Sequence, residues 1–293
     1  MQGGGSFGAF AWGVLDALLE DETIEIDAIS GASAGAVNAV LLASGLLEGG
    51  RANAREKLER FWRRMSRAAA FSSGVGIEGF GVIARSFAPH LFNPFNLNPL
   101  REALAEEVDF ARLRAECPIK LLIGATRARD GALRVFETSE LTLEAVLAST
   151  CLPLLHHQIV IDGETYWDGG YAANPPLLPL FVKSEAERML IVQVTPNSTP
   201  TVPTKPSDIA RRIEQIQFNA TLNRELDALR YGQELGLMPK LSKLSIDLIA
   251  AHDEIEDLAA ESAANLGWSF LSKLHASGRD AAGEWLKAQA GVG

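Results

Sequence analysis

Three short stretches of the 293-residue chain hold residue types able to make and break bonds. In Gly31-Ala32-Ser33-Ala34-Gly35 the G-x-S-x-G pattern puts a serine on a sharp turn between an extended stretch, IEIDAIS, and a helical one, AVNAVLLASGLL. Flanking glycines relieve the crowding of such an elbow and expose Oγ. The Ala34 amide and the dipole of the helix it opens favour negative charge nearby. Gly3-Gly4-Gly5-Ser6-Phe7-Gly8 fits G-x-G-x-x-G, a run of amides that suits either a pyrophosphate on a helix N-terminus or a tetrahedral oxyanion. Asp168-Gly169-Gly170 ends the strand-like TYWD. Two glycines after a strand-terminal acid imply positive φ or a close backbone approach, which presents a carboxylate rigidly to a neighbouring hydroxyl.

A serine nucleophile needs a base. The α/β-hydrolase order of serine, acid, histidine would be met by Asp168 with His252 or His275, but that fold sets several strands before its elbow and only roughly thirty residues precede this one. His90, His156, His157, His252 and His275 have no motif around them and read as structural. Asp162-Gly163 sits where a two-residue hairpin turn is wanted, and turn chemistry accounts for it. A dinucleotide loop would lead to a strand ending in a ribose-binding acid, for which Glu25 or Asp27 could pass. That strand runs directly into the serine elbow, which a nucleotide site does not use. The glycines therefore read as oxyanion donors, and neither a cofactor nor a metal is expected.

The elements that must position these residues show in the periodicity. Phe10, Val14, Leu15, Leu18 and Leu19 fall at helical spacing after the glycine loop. Residues 51–67 form a charged amphipathic helix with Leu58, Phe61, Trp62 and Met65 inward. The stretch 71–99 is irregular and long for a connection, either a lid or a packed excursion. It ends where Asn98 caps a helix with Pro99 at its first position. IKLLIGATRARDGALRVFET reads as a hairpin turning at Asp130-Gly131, LTLEAVLAST as a helix, QIVIDGETYW as a second hairpin and RMLIVQVTP as an apolar strand. From Ser207 the text is mainly helical, with one strand at KLSIDLIA. The spacing of Ile209, Ile213, Ile216 and Leu222 predicts a face that covers the sheet, with a dimer contact as the alternative. Alternating strands and helices predict an α/β layered fold. The expected division is a core over 1–206 and a helical extension over 207–293 packed on it, with TPNSTPTVPTKP as linker or surface loop.

Composition narrows the partners. Apolar content of 47% with 22% charged residues is that of an ordinary globular protein, and a net charge of −10 argues against nucleic acid and against attraction to an anionic membrane by bulk charge. Cys117 and Cys151 fit no ligand spacing and read as buried thiols in a reducing compartment. The uncharged stretch 28–47 suits a turn plus a buried helix better than a membrane span. No signal peptide is visible, and only Met1 and Gln2 precede the glycine loop. Part of a first strand, or a targeting segment, is therefore expected to be missing.

Glycine loop, G-x-S-x-G and D-G-G, in that order and spacing, resemble the patatin-like phospholipases. The flanking text QGGGSFGAFAWGVLD, ISGASAGAVNAV and YWDGGYAANPPLLPL is similar to a bacterial branch of that family. The resemblance covers roughly residues 1–195. It implies a three-layer α/β/α fold with a largely parallel central sheet and a lipid acyl hydrolase working through a Ser-Asp dyad. Ser33 matches the nucleophile and Asp168 the base; Gly3, Gly4, Gly5 and Ser6, joined by Ala34, match the oxyanion hole; Gly8, Gly31, Gly35, Gly169 and Gly170 are motif glycines. Many family members carry Lys or Arg where this chain has Phe7. The implied substrate is a lipid or other acyl ester, met through transient contact with a membrane or lipid-droplet surface by a cytoplasmic protein. The apolar residues of 71–99, Phe80, Phe87, Phe92 and Phe95 among them, are expected either to line an acyl entry or to fill a core. A non-catalytic lipid-binding or scaffold protein on the same fold is the rival reading, and acyl transfer to an acceptor other than water a second.

Overall fold

The computed structural model describes residues 1–73, 98–251, 255, 258 and 261–290. The acyl entry expected at 71–99 lies, but for its two ends, outside them, as do His90 and His252. Strand β1 (Ala28–Gly31) runs parallel to β2 (Lys120–Arg127). β3 (Leu133–Glu137) pairs antiparallel with Leu122–Thr126 of β2, and β5 (Glu164–Asp168) antiparallel with Ala125–Arg127. β4 (Ile159–Ile161) forms the second hairpin with β5, turning at Asp162 and Gly163, both at positive φ. Since β3 pairs with the same β2 residues as both β1 and β5, the latter two share the opposite edge. They run toward each other along it and stop with Gly31 opposite Ile123 and Asp168 opposite Ala125, separated on β2 by Gly124 alone. This meeting end to end brings the serine elbow to the Asp-Gly-Gly turn.

β6 (Arg188–Gln193) and β7 (Ser245–Ala250) make a second parallel pair. Met1 and Gln2 lie between the two sheets. The Met1 amino group donates to Ser30 O at 2.6 Å and the Gln2 amide to Val192 O at 3.0 Å. β1 with β2 and β6 with β7 are thus the parallel pairs, while β3 on one edge of β2 and β5 with β4 on the other pair antiparallel.

Helices cover both faces. α1 (Gly8–Glu20), α2 (Ala34–Ser73, kinked at Gly49–Gly50), α3 (Pro99–Glu107), α4 (Phe110–Glu116), α5 (Leu143–Ser149) and α9 (Trp268–Ala290) enclose the main core, which includes Phe10, Leu41, Leu104, Ile123, Leu147 and Leu274. On the other face α6 (Leu177–Lys183), α7 (Pro206–Glu234) and α8 (Pro239–Lys243) close a smaller cluster of Leu177, Phe181, Met189, Ile191, Leu222 and Leu226. β6 alternates between them, Met189 and Ile191 to the smaller cluster and Leu190 and Val192 to the main core, as a period of two requires. The result is the expected α/β/α fold.

Local signals mark the ends of elements. Asn98 accepts the Leu100 and Arg101 amides, with Pro99 beginning α3. The uncharged stretch 28–47 becomes β1, the elbow and a buried half of α2. Among the described residues no helix is long and apolar enough to cross a membrane. One expectation is corrected. Leu222 packs inward, but Ile209, Ile213 and Ile216 are 39%, 51% and 51% exposed. Ile213 and Leu222 lie nine residues apart, two and a half turns at about 3.6 residues each, so α7 cannot bury both.

Candidate active site

Ser33 sits in the first turn after β1 with φ +52°, a conformation that costs a non-glycine residue about 1–3 kcal/mol and persists only where the surroundings impose it. They do so from both sides. The Ser33 amide donates to O and Oγ of Ser149 at the end of α5, at 3.1 and 3.0 Å. Its carbonyl accepts the Ala36 and Val37 amides at 2.9 and 3.1 Å and starts α2. The side chain is therefore held at the positive end of a long helix.

Asp168 is wholly buried at the end of β5. Its amide donates to Cys151 O at 2.8 Å, its carbonyl accepts the Thr126 hydroxyl at 2.7 Å, and Oδ1 accepts the Gly170 amide at 2.8 Å. Oδ2 accepts no hydrogen bond among the described residues, and the Ser33 hydroxyl lies close enough to the carboxyl to favour its ionised form. Burial outweighs that help and pushes the carboxyl up to about 7, opposed by Ser33 and the Gly170 amide and assisted by the charge of Glu214. The turn can approach β2 because residue 169 has no side chain: a Cβ there would lie 2.1 Å from Gly124 O.

The glycine loop lies against the elbow. A Cβ at Gly3 would fall 2.5 Å from Ser33 Cβ. The Gly3 amide donates to Asn174 Oδ1 at 2.7 Å and the Ser6 amide to Ala263 O at 2.8 Å. Those two amides, expected as oxyanion donors, are thus spent within the protein. The amides of Gly4, Gly5 and Ala34 have no partner among the described residues. Of the remaining motif glycines, Gly8 packs on Ala34, Gly31 on the Gly35 backbone, Gly35 on Met1 O and Gly170 on Phe218. The Phe7 ring turns into the core and meets Phe270 edge-on at 6.3 Å.

The structure adds residues that motif reading passed over: Ser149, Thr126, Asn174, and Asn38, which donates to Gly8 O and accepts from the Trp62 indole. Buried polar side chains next to turns are the available signal, but their partners are remote in sequence. The histidines stand elsewhere. His156 Nδ1 accepts the Leu152 amide at 3.1 Å, and burial lowers its pKa. His275 pairs with Asp16 at 3.1 Å, not with Asp168. Asp27 accepts the Ser184 hydroxyl and the Glu185 amide, both at 2.8 Å, and so finishes α6. No group of His, Cys, Asp and Glu among the described residues is arranged to hold a metal ion.

A hydroxyl at a helix N-terminus, a buried carboxylate with one free oxygen beside it, and unpartnered amides on the adjoining loop form a set that can carry out acyl transfer. A family model described as patatin-like phospholipase matches residues 1–181. No curated protein matches the chain.

Proposed function

The chain belongs to the patatin-like phospholipase family, a family of lipid acyl hydrolases, and from that premise we propose that it hydrolyses carboxylic esters of lipids with Ser33 as nucleophile and Asp168 as base. The observation that carries this reading is the free Oδ2 of a fully buried Asp168 beside the strained Ser33 elbow. A carboxylate with pKa about 7 is a better proton acceptor than one near 3.9 and is still substantially ionised at neutral pH.

Asp168 accepts the Ser33 proton as Oγ attacks the ester carbonyl. The oxyanion that forms meets the amides of Gly4, Gly5 and Ala34, each worth roughly 100- to 1000-fold in rate if it bonds the transition state. Collapse breaks the bond to the alcohol, which leaves with the proton from Asp168. Water then attacks the acyl-serine and gives its proton to Asp168. The second collapse releases the fatty acid and returns that proton to Ser33 Oγ.

The test is p-nitrophenol release from a short and a long acyl ester by wild type, Ser33→Ala and Asp168→Asn, each checked by circular dichroism. Both variants are expected to be folded and inactive, with the wild type faster on the long chain. A folded wild type as inert as the variants on both esters would replace hydrolysis with lipid binding without turnover.

A further inference from the structure

Asn174 lies six residues beyond Asp168, wholly buried between the Asp-Gly-Gly turn and α6. Its side chain bonds Gly3 at both ends. Oδ1 accepts the Gly3 amide at 2.7 Å, while Nδ2 donates to Gly3 O at 3.2 Å and to Phe218 O on α7 at 3.3 Å. A carboxamide is the side chain that offers an acceptor and two donors from one rigid plane. Gly3 is also the loop residue in contact with Ser33 Cβ, and Gly4 and Gly5, whose amides are unpartnered, follow it directly. Thr195 adds a weaker hold, its hydroxyl donating to Gly3 O at 3.1 Å.

On this geometry we infer that Asn174 is a positioning residue for the proposed reaction: it locks the peptide planes on either side of Gly3, so that the Gly4 amide, which shares a plane with the Gly3 carbonyl, is aimed before substrate arrives and the Gly5 amide follows from a fixed neighbour. It never touches the reacting atoms. The segment that carries the base thereby also orients the oxyanion loop, and motion of one is coupled to the other. Orientation of this kind acts on the transition state and not on substrate binding, because donors left free to rotate must be reordered as charge develops. The inference rests on the hydrolase reading for its kinetic consequence, but the clamp itself can be observed without turnover.

The experiment compares wild type with Asn174→Ala, with Asn174→Ser as the milder variant should alanine not fold, and with Thr195→Val, which spares the Gly3 amide bond. Site-resolved amide hydrogen exchange is expected to show the Gly3 amide faster by tenfold or more on the order of a local opening in the Asn174 variants, with α1 amides unchanged. Per titrated active site, kcat should fall about 100-fold with KM unchanged. Affinity for a trifluoromethyl ketone analogue should fall in step with kcat, while affinity for the product fatty acid stays constant. Thr195→Val should lose only a few-fold. Unchanged Gly3 exchange in a folded Asn174 variant would overturn the clamp. Faster exchange with unchanged kcat and ketone affinity would overturn the positioning role. Faster exchange in a protein whose wild type turns over no ester would overturn the hydrolase reading, and the kinetic role with it, while the hydrogen bonds stood.

Discussion

Asp16 and Asp168 are both buried aspartates on the same fold, and their surroundings have opposite effects. At Asp16, three helices converge: α1 supplies the carboxylate, α2 supplies Arg55 at 2.5 Å, and α9 supplies His275 at 3.1 Å and the Arg279 guanidinium. Burial alone would raise its pKa, but the hydrogen bonds from His275, Arg55 and Arg279 outweigh burial and hold the carboxyl well below the usual range. At Asp168, no Lys, Arg or His among the described residues forms a salt bridge, and burial prevails, opposed only by the Ser33 hydroxyl and the Gly170 amide. The first aspartate is a charged clamp, and the second is the carboxylate assigned to proton transfer in the proposed mechanism. What raises its pKa is burial without a neighbouring cation, not a special side chain.

The sharpest way to break that contrast is Asp168→Asn. Loss of the base should cost roughly 10⁴-fold in kcat, and stability should respond in the opposite sense. A group whose folded pKa is raised stabilises the fold most when protonated, and that contribution is lost as pH rises from about 4 through about 7. Asparagine has no such loss. The variant's melting temperature is therefore expected to gain on wild type between pH 5 and pH 8, as read by thermal circular dichroism. Parallel melting temperatures across that window would show that Asp168 is not held out of its ionised state. The same carboxylate makes wild-type kcat/KM climb through about pH 7 and level off once the group is ionised.

Asp16→Asn should give the complementary result. Two arginines and a histidine would lose their shared partner; with Arg55 and Arg279 about one-third exposed, the cost is about 1–3 kcal/mol, below that of a fully buried pair. Asp16 lies eight residues along α1 from Gly8, about 12 Å at 1.5 Å per residue, so kcat per folded site should stay within about twofold. The pH sign reverses as well. A depressed pKa contributes stability above the unfolded value and loses it as pH falls below about 4, so the gap between wild type and variant should close in acid. A large drop in kcat at full folding would mean that the α9 clamp reaches the glycine loop.

The serine elbow and the Asp-Gly-Gly turn were legible because each answers a local demand: an elbow needs Gly31 and Gly35 about Ser33, and a turn that must abut β2 needs Gly169. The helix cap at Asn98 and the turns at Asp162-Gly163 and Asp130-Gly131 are local in the same way. The meeting of β1 and β5 on one edge of β2 was not legible, because it depends on two pairings between remote segments, Ala28 with Lys120 and Ala125 with Asp168 among them. Asn174 was missed for the same reason: its partner Gly3 is 171 residues away. Nor does spacing say which of two apolar faces is buried. Ile209, Ile213 and Ile216 form a regular stripe, yet it is Leu222, Leu226 and Leu229 on the other side of α7 that pack with Met189 and Ile191 of the sheet, while Phe218 meets Gly170 and Tyr171. The spent amides of Gly3 and Ser6 follow from that limit too, since a glycine-rich loop shows how many donors exist but not which of them the protein itself consumes.

The smallest expected effect sharpens the contrast most finely. Glu20 stands one turn beyond Asp16 and bonds the same two arginines, Arg55 at 2.6 Å and Arg279 at 2.7 Å, but its side chain is 43% exposed against 11% for Asp16. If burial sets the worth of an ion pair, Glu20→Gln should cost no more than about 0.5 kcal/mol, and that cost should fade by 1 M salt, where charges are screened within about 3 Å. The Asp16→Asn penalty should largely persist under the same salt, because its carboxylate is only 11% exposed and mostly shielded from water and ions. Equal penalties at low salt, or equal loss of both on adding salt, would mean that Asp16 is solvated in solution, and its contrast with Asp168 would then rest on exposure instead of on the cations around it.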